Sequence, residues 1–156
     1  MMDKSVPNYR AIMIKHDVEN YPRFPLPEWL YDRCLFVVEE KTGVVAAVTS
    51  LWLGKLTEEE PLHARVHWVA TREEYQGLGL IKGMFTYLMD LYHKLGDKGY
   101  LYLTTQSQSY VAINIYKKFG FVPYLGELHR GEFDLEEHKK AWQIIDAKHA
   151  EYAAGK

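Results

Sequence analysis

The sequence predicts a mixed α+β domain in which a central, mostly antiparallel sheet carries helices on its faces. Short runs rich in Val, Leu and Phe alternate with helical patterns, in the order strand, hairpin pair, strand, helix, strand, helix, strand, helix. A helical stretch joins the strands at 65–70 and 100–105, so these two strands should run parallel. A length of 156 residues with 47% hydrophobic residues suits one packed domain.

We therefore expect a single domain over residues 1–156 with three parts. Residues 1–33 hold a strand at 9–15 and a proline-rich arm around Pro22, Pro25 and Pro27, which prevent a continuous helix. Residues 34–125 form the core and include a hairpin, with strands at 34–40 and 44–53. Residues 126–156 contain a turn and a helix that Asp134 caps. The apolar stripe of this helix consists of Leu135, His138, Trp142, Ile145, His149 and Tyr152.

Composition disfavours several classes of partner. The net charge is -2 and the pI is near 6.4, so we expect no nucleic-acid or membrane binding. No apolar run is long enough to span a membrane, and we expect a cytoplasmic protein. The one cysteine, Cys34, is interpreted as a small apolar strand residue. His63 and His67 lie four apart on a strand, where they do not converge, so we predict no metal site.

The most informative stretch is a strand, a glycine-containing turn and an amphipathic helix that Gly96 ends. Apolar residues recur at helical spacing from Ile81 onward, and the turn carries Gly77 and Gly79. The start of a helix presents unpaired backbone N–H groups and partial positive charge. The sequence therefore predicts an anion site, most often a phosphate site, at this turn.

Two common phosphate motifs are excluded here. A dinucleotide fingerprint needs a third glycine where Lys82 stands, and a P-loop needs Gly-Lys-Ser/Thr, which is absent. The order Gln76, Gly77, Leu78, Gly79, Leu80, Ile81 instead resembles the pyrophosphate-binding motif of the GCN5-related N-acetyltransferase (GNAT) superfamily. Ile81 departs from the small residue usual at the last place.

A second signature strengthens this resemblance, which covers residues 34–124. Ala112, Tyr116, Gly120 and Phe121 match, in order and spacing, the GNAT helix with Ala-x-x-x-Tyr followed by Gly-Phe. The resemblance implies a GNAT fold with a splayed parallel strand pair, and acetyl-CoA as co-substrate without a metal. It also implies the cofactor-binding residues, which are Val69, Ala70, Thr71, Gln76, Gly77, Leu78, Gly79, Leu80, Ile81, Ser109 and Tyr116.

Two side chains are candidates for catalysis. His67 is suited to removing a proton near neutral pH, and regular alternation places it on one face with Arg65 and Val69. It stands where many GNAT enzymes carry a glutamate and the arylalkylamine N-acetyltransferases a histidine. Tyr116 matches the family tyrosine that protonates the departing thiolate. The alternative for His67 is a structural role, in which the histidine is hydrogen-bonded to a neighbour and a water chain serves as the base. The alternative for Tyr116 is that it only packs against the sheet.

The resemblance also assigns two supporting roles. It implies that the backbone N–H of Val69 stabilises the oxyanion. Ser109 stands where the family often has asparagine, and its hydroxyl can still form a hydrogen bond or cap the following helix.

The sequence thus predicts an N-acetyltransferase that acetylates a primary amine of a small molecule or peptide by direct attack in a ternary complex. The alternative is a non-catalytic acyl-CoA-binding or regulatory module on the same fold. The short segment 1–33 leaves little chain to wall an acceptor pocket. We expect a homodimer in which the C-terminal helix or the proline-rich arm crosses to the partner; the alternative is a monomer whose helix folds back.

Overall fold

The computed structural model describes residues 5–7, 10–18, 33–57, 59–95, 99–126 and 135–155. It confirms the mixed α+β class and the predicted order of elements. The proline-rich arm and Asp134 lie outside the described residues. The elements are β1 (Arg10–Val18), β2 (Cys34–Val38), β3 (Val45–Gly54), β4 (His63–Thr71), α1 (Leu80–Leu95), β5 (Gly99–Gln106), α2 (Tyr110–Lys118), β6 (Val122–Pro123) and α3 (Leu135–Ala154).

The chain divides into two compact units, each described here by itself. The hairpin unit comprises residues 16–54 and 62–101, and the C-terminal unit comprises residues 1–15, 55–61 and 102–156. Strand β5 contributes its first residues, Gly99 to Leu101, to the hairpin unit and the rest to the C-terminal unit. The expectation of one domain over the whole chain stays a prediction.

In the described part of the hairpin unit, the strand order is β2-β3-β4-β5. The pairs β2–β3 and β3–β4 are antiparallel. Strands β4 and β5 are neighbours in the sheet, and His63 at the start of β4 stacks on Tyr100 at the start of β5, with ring centroids 3.9 Å apart. Since the two strands begin side by side, they run parallel. Helix α1 packs on β2 and β3 and buries Met84, Phe85, Leu88 and Tyr92, which belong to the apolar positions that recur at helical spacing.

A β-bulge interrupts β4 beside His67. Ser50 pairs with His67 and Val48 pairs with Ala70, so Thr49 of β3 lies opposite two residues, Trp68 and Val69. Trp68 has a φ of 53°, the left-handed region that bulky residues rarely adopt. The hydroxyls of Thr49 and Ser50 both donate to the backbone carbonyl of His67, at 3.3 and 3.2 Å. These bonds hold the backbone at the point where the regular ladder is broken.

The bulge corrects one prediction about side-chain directions. Val48 and Ser50 are two apart on β3 and share a face, so their partners Ala70 and His67 share that face as well. Regular alternation would have placed Val69 there instead. One extra residue in β4 shifts the alternation by one position, which the sequence pattern did not reveal.

The C-terminal unit contains β6 and residues 10–15 of β1, paired antiparallel through Met13 opposite Pro123, with the later part of β5 beside β1. Helix α2 ends in a Schellman motif: the N–H of Phe121 donates to the carbonyl of Tyr116, and that of Gly120 to Lys117. Gly120 has a φ of 86°, which this motif requires. The Gly-Phe pair that follows the tyrosine is therefore a helix terminator.

Helix α3 packs on α2 of its own chain. His149 contacts the carbonyl oxygen of Tyr110 at 2.6 Å, and Lys117 pairs with Asp146 at 3.2 Å. The middle of the predicted stripe is buried, whereas Leu135 and Tyr152 at its ends are exposed. The apolar face is thus used within the chain, and the homodimer stays a prediction. No helix in the described ranges is long and apolar enough to cross a membrane.

The strained backbone at Trp68 leads to a stability prediction. Trp68→Gly and Trp68→Ala remove the same exposed indole, but only glycine removes the Cβ that makes a positive φ costly. The Gly variant should be more stable than the Ala variant by about 1 kcal/mol in urea denaturation. Equal midpoints, or a more stable Ala variant, would show that Trp68 does not hold a left-handed conformation in solution.

Candidate functional site

The turn between β4 and α1 has the backbone geometry of an anion cradle. Gly77 and Gly79 have φ values of 79° and 77°. A Cβ added at either would meet no atom within 4 Å, so these positions need glycine for conformation and not for lack of space. The turn therefore has open space beside it, as close approach of a ligand requires.

The backbone donors at the end of this turn, from Gly77 onward, are unused within the described part of the chain. The N–H groups of residues 77–81 make no hydrogen bond to another described residue, and the first helical bond in this turn runs from Lys82 N to Gly79 O at 3.0 Å. The first turn of α1 carries no acidic residue. Consecutive unpaired N–H groups at the start of a 16-residue helix form a site for an anion, assisted by the helix dipole.

Side chains outside the turn hold it in place. The hydroxyl of Tyr75 donates to Glu39 Oε2 at 2.7 Å, and the hydroxyl of Thr42 donates to the same oxygen. These two hydrogen bonds, first that of Thr42 and then that of Tyr75, lower the pKa of Glu39. Glu39 therefore remains ionised near neutral pH and ties the β2–β3 hairpin to the turn.

The predicted cofactor-binding residues from Val69 to Ile81 all lie in the hairpin unit. Val69 is part of the bulge, and the exposed Ala70 follows it. The carbonyl oxygen of Thr71 accepts a hydrogen bond from the side-chain amide of Gln76 at 3.3 Å, so Gln76 closes the turn through its side chain. Leu78 is exposed, whereas the side chains of Leu80 and Ile81 are half-buried. The backbone N–H groups of Leu80 and Ile81 stay unpaired among the described residues.

His67 is half-buried, and its Nδ1 atom is buried without a hydrogen-bond partner in the described part of the chain. Burial, and then the positive charge of Arg65, lower the pKa of His67 below 6.5. The imidazole is therefore neutral at pH 7 and able to accept a proton. If His67 had only a structural role, its ring would be hydrogen-bonded to a neighbour, and no such bond is found among the described residues.

Two indole rings flank His67. Its ring centroid lies 6.0 Å from that of Trp52 and 4.9 Å from that of Trp68. The Nε1–H of Trp52 donates to Ser50 Oγ at 2.7 Å, and Ser50 in turn donates to the His67 carbonyl. Trp52 thus supports the bulge through its N–H while part of its side chain reaches solvent.

The remaining predicted site residues lie in the C-terminal unit. Tyr116 is buried, and burial raises the pKa of its hydroxyl to about 12, so it is protonated at neutral pH. Its ring packs near Phe121, with centroids 6.3 Å apart. Ser109 occupies the N-cap position of α2, but its side chain makes no capping hydrogen bond, so the expected cap is not formed.

The residues of the site suit a pyrophosphate better than a metal ion. An acyl-coenzyme A carries a pyrophosphate, and the open, donor-lined turn fits such an anion. For metals, no group of three or more His, Cys, Asp or Glu side chains suited to hold an ion occurs among the described residues.

Sequence reasoning missed the bulge and the two hydroxyls that support it. The alternating pattern of β4 carries no signal for the bulge, because a bulge depends on the pairing with β3. The contribution of Glu39 had no signal either, since Glu39 lies 36 residues before Tyr75.

Comparisons with known proteins find a family model and a solved structure that are similar to this chain. The model of the Acetyltransferase (GNAT) family matches residues 6–121, more than half of the chain. Among solved structures, similarity is found to a protein assigned to the GNAT family of acetyltransferases from Novosphingobium aromaticivorans DSM 12444, at 17% identity and a TM-score of 0.44. The alignment covers 76% of this chain and 61% of that chain. A comparison with curated proteins gives no match.

The family assignment rests on the family match. That match includes the bulged strand, the glycine turn and the helix with Tyr116. The chain belongs to the GNAT acetyltransferase family.

Proposed function

We propose that the protein is an N-acetyltransferase that transfers the acetyl group of acetyl-CoA to a primary amine by direct attack in a ternary complex. The observation that carries this proposal is the run of unpaired N–H groups at residues 77–81, in an open turn directly after the strand with His67. Family membership supports acyl transfer in general. The donor, the acceptor and the mechanism are our proposal.

The reaction needs three kinds of assistance from the protein. A new N–C bond forms as the C–S bond of the thioester breaks, the amine loses a proton, and the leaving thiolate gains one. An alkyl ammonium has a pKa near ~10.4, so it must lose a proton before it can attack. Acetyl-CoA supplies the activated acyl group, and the backbone N–H groups of residues 77–81 would hold its pyrophosphate.

His67 is the base that we assign to the amine. Its pKa is lowered by burial and by Arg65, so the neutral form dominates at pH 7. Its Nδ1 is buried, so we assign the contact with the amine, or with an intervening water, to the other ring nitrogen, Nε2. For the acyl oxygen, we propose the backbone N–H of Val69, because a bulge takes groups of the extra residue out of the ladder.

Tyr116 is the group that we assign to the leaving thiolate, on the basis of the family motif. A hydroxyl with a pKa of about 12 is a weaker acid than a thiol near ~8.5, so its contribution is a hydrogen bond that stabilises the developing thiolate. The thiolate then takes up a proton from solvent, and the proton that His67 removed from the amine is released to solvent. The alternative function is a non-catalytic acyl-CoA-binding module. It is favoured by Ile81 and Ser109, which differ from the residues usual in the family, and it predicts that acetyl-CoA binds without turnover.

Coenzyme binding is tested by its effect on stability. Acetyl-CoA at about 100 times its dissociation constant should stabilise the protein by ~2.7 kcal/mol. Gly79→Glu should abolish this gain, because it places a carboxylate in the cradle. Gly43→Glu is the matched control: Gly43 also has a positive φ with open space around it but lies in the β2–β3 turn, so this variant should keep the gain. Calorimetry that detects no binding to the unmodified protein would contradict the proposal.

The base is tested by the pH dependence of kcat/KM. Since His67 acts in its neutral form and its pKa is lowered, activity should fall as the pH drops through a value below 6.5. His67→Ala should lower kcat/KM and remove this acidic limb. If the limb persists in the variant, a water chain or another group is the base.

The role of Tyr116 is tested by removing only its hydroxyl. Tyr116→Phe should lower kcat by roughly one to three decades with little change in the affinity for acetyl-CoA, because the bond strengthens as the thiolate forms. Phe121→Leu, which alters the ring packed near Tyr116, serves as a packing control. Unchanged turnover in Tyr116→Phe would return Tyr116 to a packing role.

A further inference from the structure

The glycine turn at residues 76–79 is not held in place by apolar burial. All of its residues are exposed, and the side chain of Leu78 is 66% exposed. Gly77 and Gly79 have positive φ values, and a Cβ added at either would meet no atom within 4 Å. Glycine has more backbone conformations to lose on ordering than any other residue. This turn therefore needs an anchor at its end if it is to keep one conformation.

The segment before the glycines is hydrogen-bonded to the β2–β3 hairpin. The N–H of Arg72 donates to the carbonyl oxygen of Ala46 at 2.9 Å, directly after the end of β4. The hydroxyl of Tyr75 donates to Glu39 Oε2 at 2.7 Å. Tyr75 directly precedes Gln76, so its bond fixes the chain where the glycine turn begins. The acceptor is a carboxylate, and hydrogen bonds to charged groups are stronger than those between neutral groups.

Glu39 is held in position for this bond by its own hairpin. Its backbone N–H donates to the carbonyl oxygen of Val44 at 2.9 Å, and its Oε2 accepts a hydrogen bond from the hydroxyl of Thr42 at 2.6 Å. The hydrogen bond to Glu39, and then burial, raise the pKa of Tyr75, so its hydroxyl remains a donor at neutral pH. Gly43 contributes no side chain to this arrangement, so the control variant Gly43→Glu retains the bond.

We propose that Tyr75 and Glu39 are positioning residues for the coenzyme, because their hydrogen bond keeps the glycine turn in the conformation that presents the N–H groups of residues 77–81. This inference rests on the proposed function and adds residues that act through the backbone of the turn. A binding loop that is already fixed in its bound conformation loses less conformational entropy when the ligand binds, so the affinity is higher.

The test measures the dissociation constant of acetyl-CoA by calorimetry, at a temperature where every variant is folded. Tyr75→Phe removes only the hydroxyl and should raise the dissociation constant about three- to tenfold. The KM for acetyl-CoA should rise in parallel while kcat stays unchanged, because the proposed function places the turn at the pyrophosphate and not at the thioester. A residue that only supported the fold would lower the unfolding temperature and leave both constants as they are.

Variants of Glu39 test the other end of the bond. Glu39→Ala should weaken acetyl-CoA binding as Tyr75→Phe does, whereas Glu39→Gln keeps a carbonyl oxygen that can accept the bond and should restore part of the affinity. The double variant Glu39→Ala/Tyr75→Phe should bind acetyl-CoA no more weakly than Glu39→Ala alone, because both changes remove the same bond. Effects that add in the double variant would overturn the inference.

Two matched controls separate the bond from the loss of a charge or of a hydroxyl. Glu40 is an exposed carboxylate next to Glu39, and Tyr87 is a 60% exposed tyrosine of helix α1 in the same unit. Glu40→Ala and Tyr87→Phe should leave the dissociation constant of acetyl-CoA unchanged. A loss of affinity in Glu40→Ala as large as that in Glu39→Ala would show an effect of charge and overturn the inference.

Failure of the inference and failure of the proposed function give different results. Binding of acetyl-CoA by Tyr75→Phe as tight as by the unmodified protein overturns the inference and leaves the acetyltransferase proposal in place. Absence of turnover with every amine, although acetyl-CoA binds, overturns the proposed function, and the dissociation constants still test the bond.

If acetyl-CoA does not bind to the unmodified protein, the proposed function fails and inorganic pyrophosphate becomes the probe. It is titrated into isotope-labelled protein, and the amide signals of residues 77–81 are followed by NMR. Binding at these amides that Tyr75→Phe weakens supports the positioning role. Equal binding to both proteins, or no binding to either, overturns it.

Discussion

The backbone carbonyl of His67 is the point on which the candidate site depends. Two hydroxyls of β3, those of Thr49 and Ser50, donate to it where the ladder between β3 and β4 is interrupted. Because a broken ladder leaves polar groups to be satisfied in other ways, these bonds make the bulge a stable feature of the sheet. The position of the imidazole, the left-handed backbone of Trp68 and the orientation of Trp52 all follow from it.

The turn after this strand works through the backbone more than through side chains. Its two glycines adopt left-handed conformations, and the following N–H groups remain without partners among the described residues. Such a cradle tolerates variation in side chains, provided that each one leaves the approach to the N–H groups open. This explains how Ile81 can occupy a place usual for a small residue, since its half-buried side chain does not remove its N–H.

Tyr116 shows how one motif can combine structural and chemical requirements. Its carbonyl oxygen accepts the hydrogen bond that ends α2, and its ring lies near that of Phe121. Gly120 between them supplies the positive φ that the helix end needs. The same burial that suits this packing raises the pKa of the hydroxyl and keeps it a hydrogen-bond donor at neutral pH.

The sequence by itself determined the order of elements, the glycine turn, and the two motifs with His67 and Tyr116, because these depend on local periodicity and on residues close together in the chain. Only the tertiary structure revealed the bulge, the bonds from Thr49 and Ser50, and the contact of Glu39 with Tyr75. A bulge depends on the register between two strands, and strand register is a relation between distant residues that a single alternating pattern does not contain. For that reason the sequence made His67 a candidate base, while the structure determined which face and which neighbours it has.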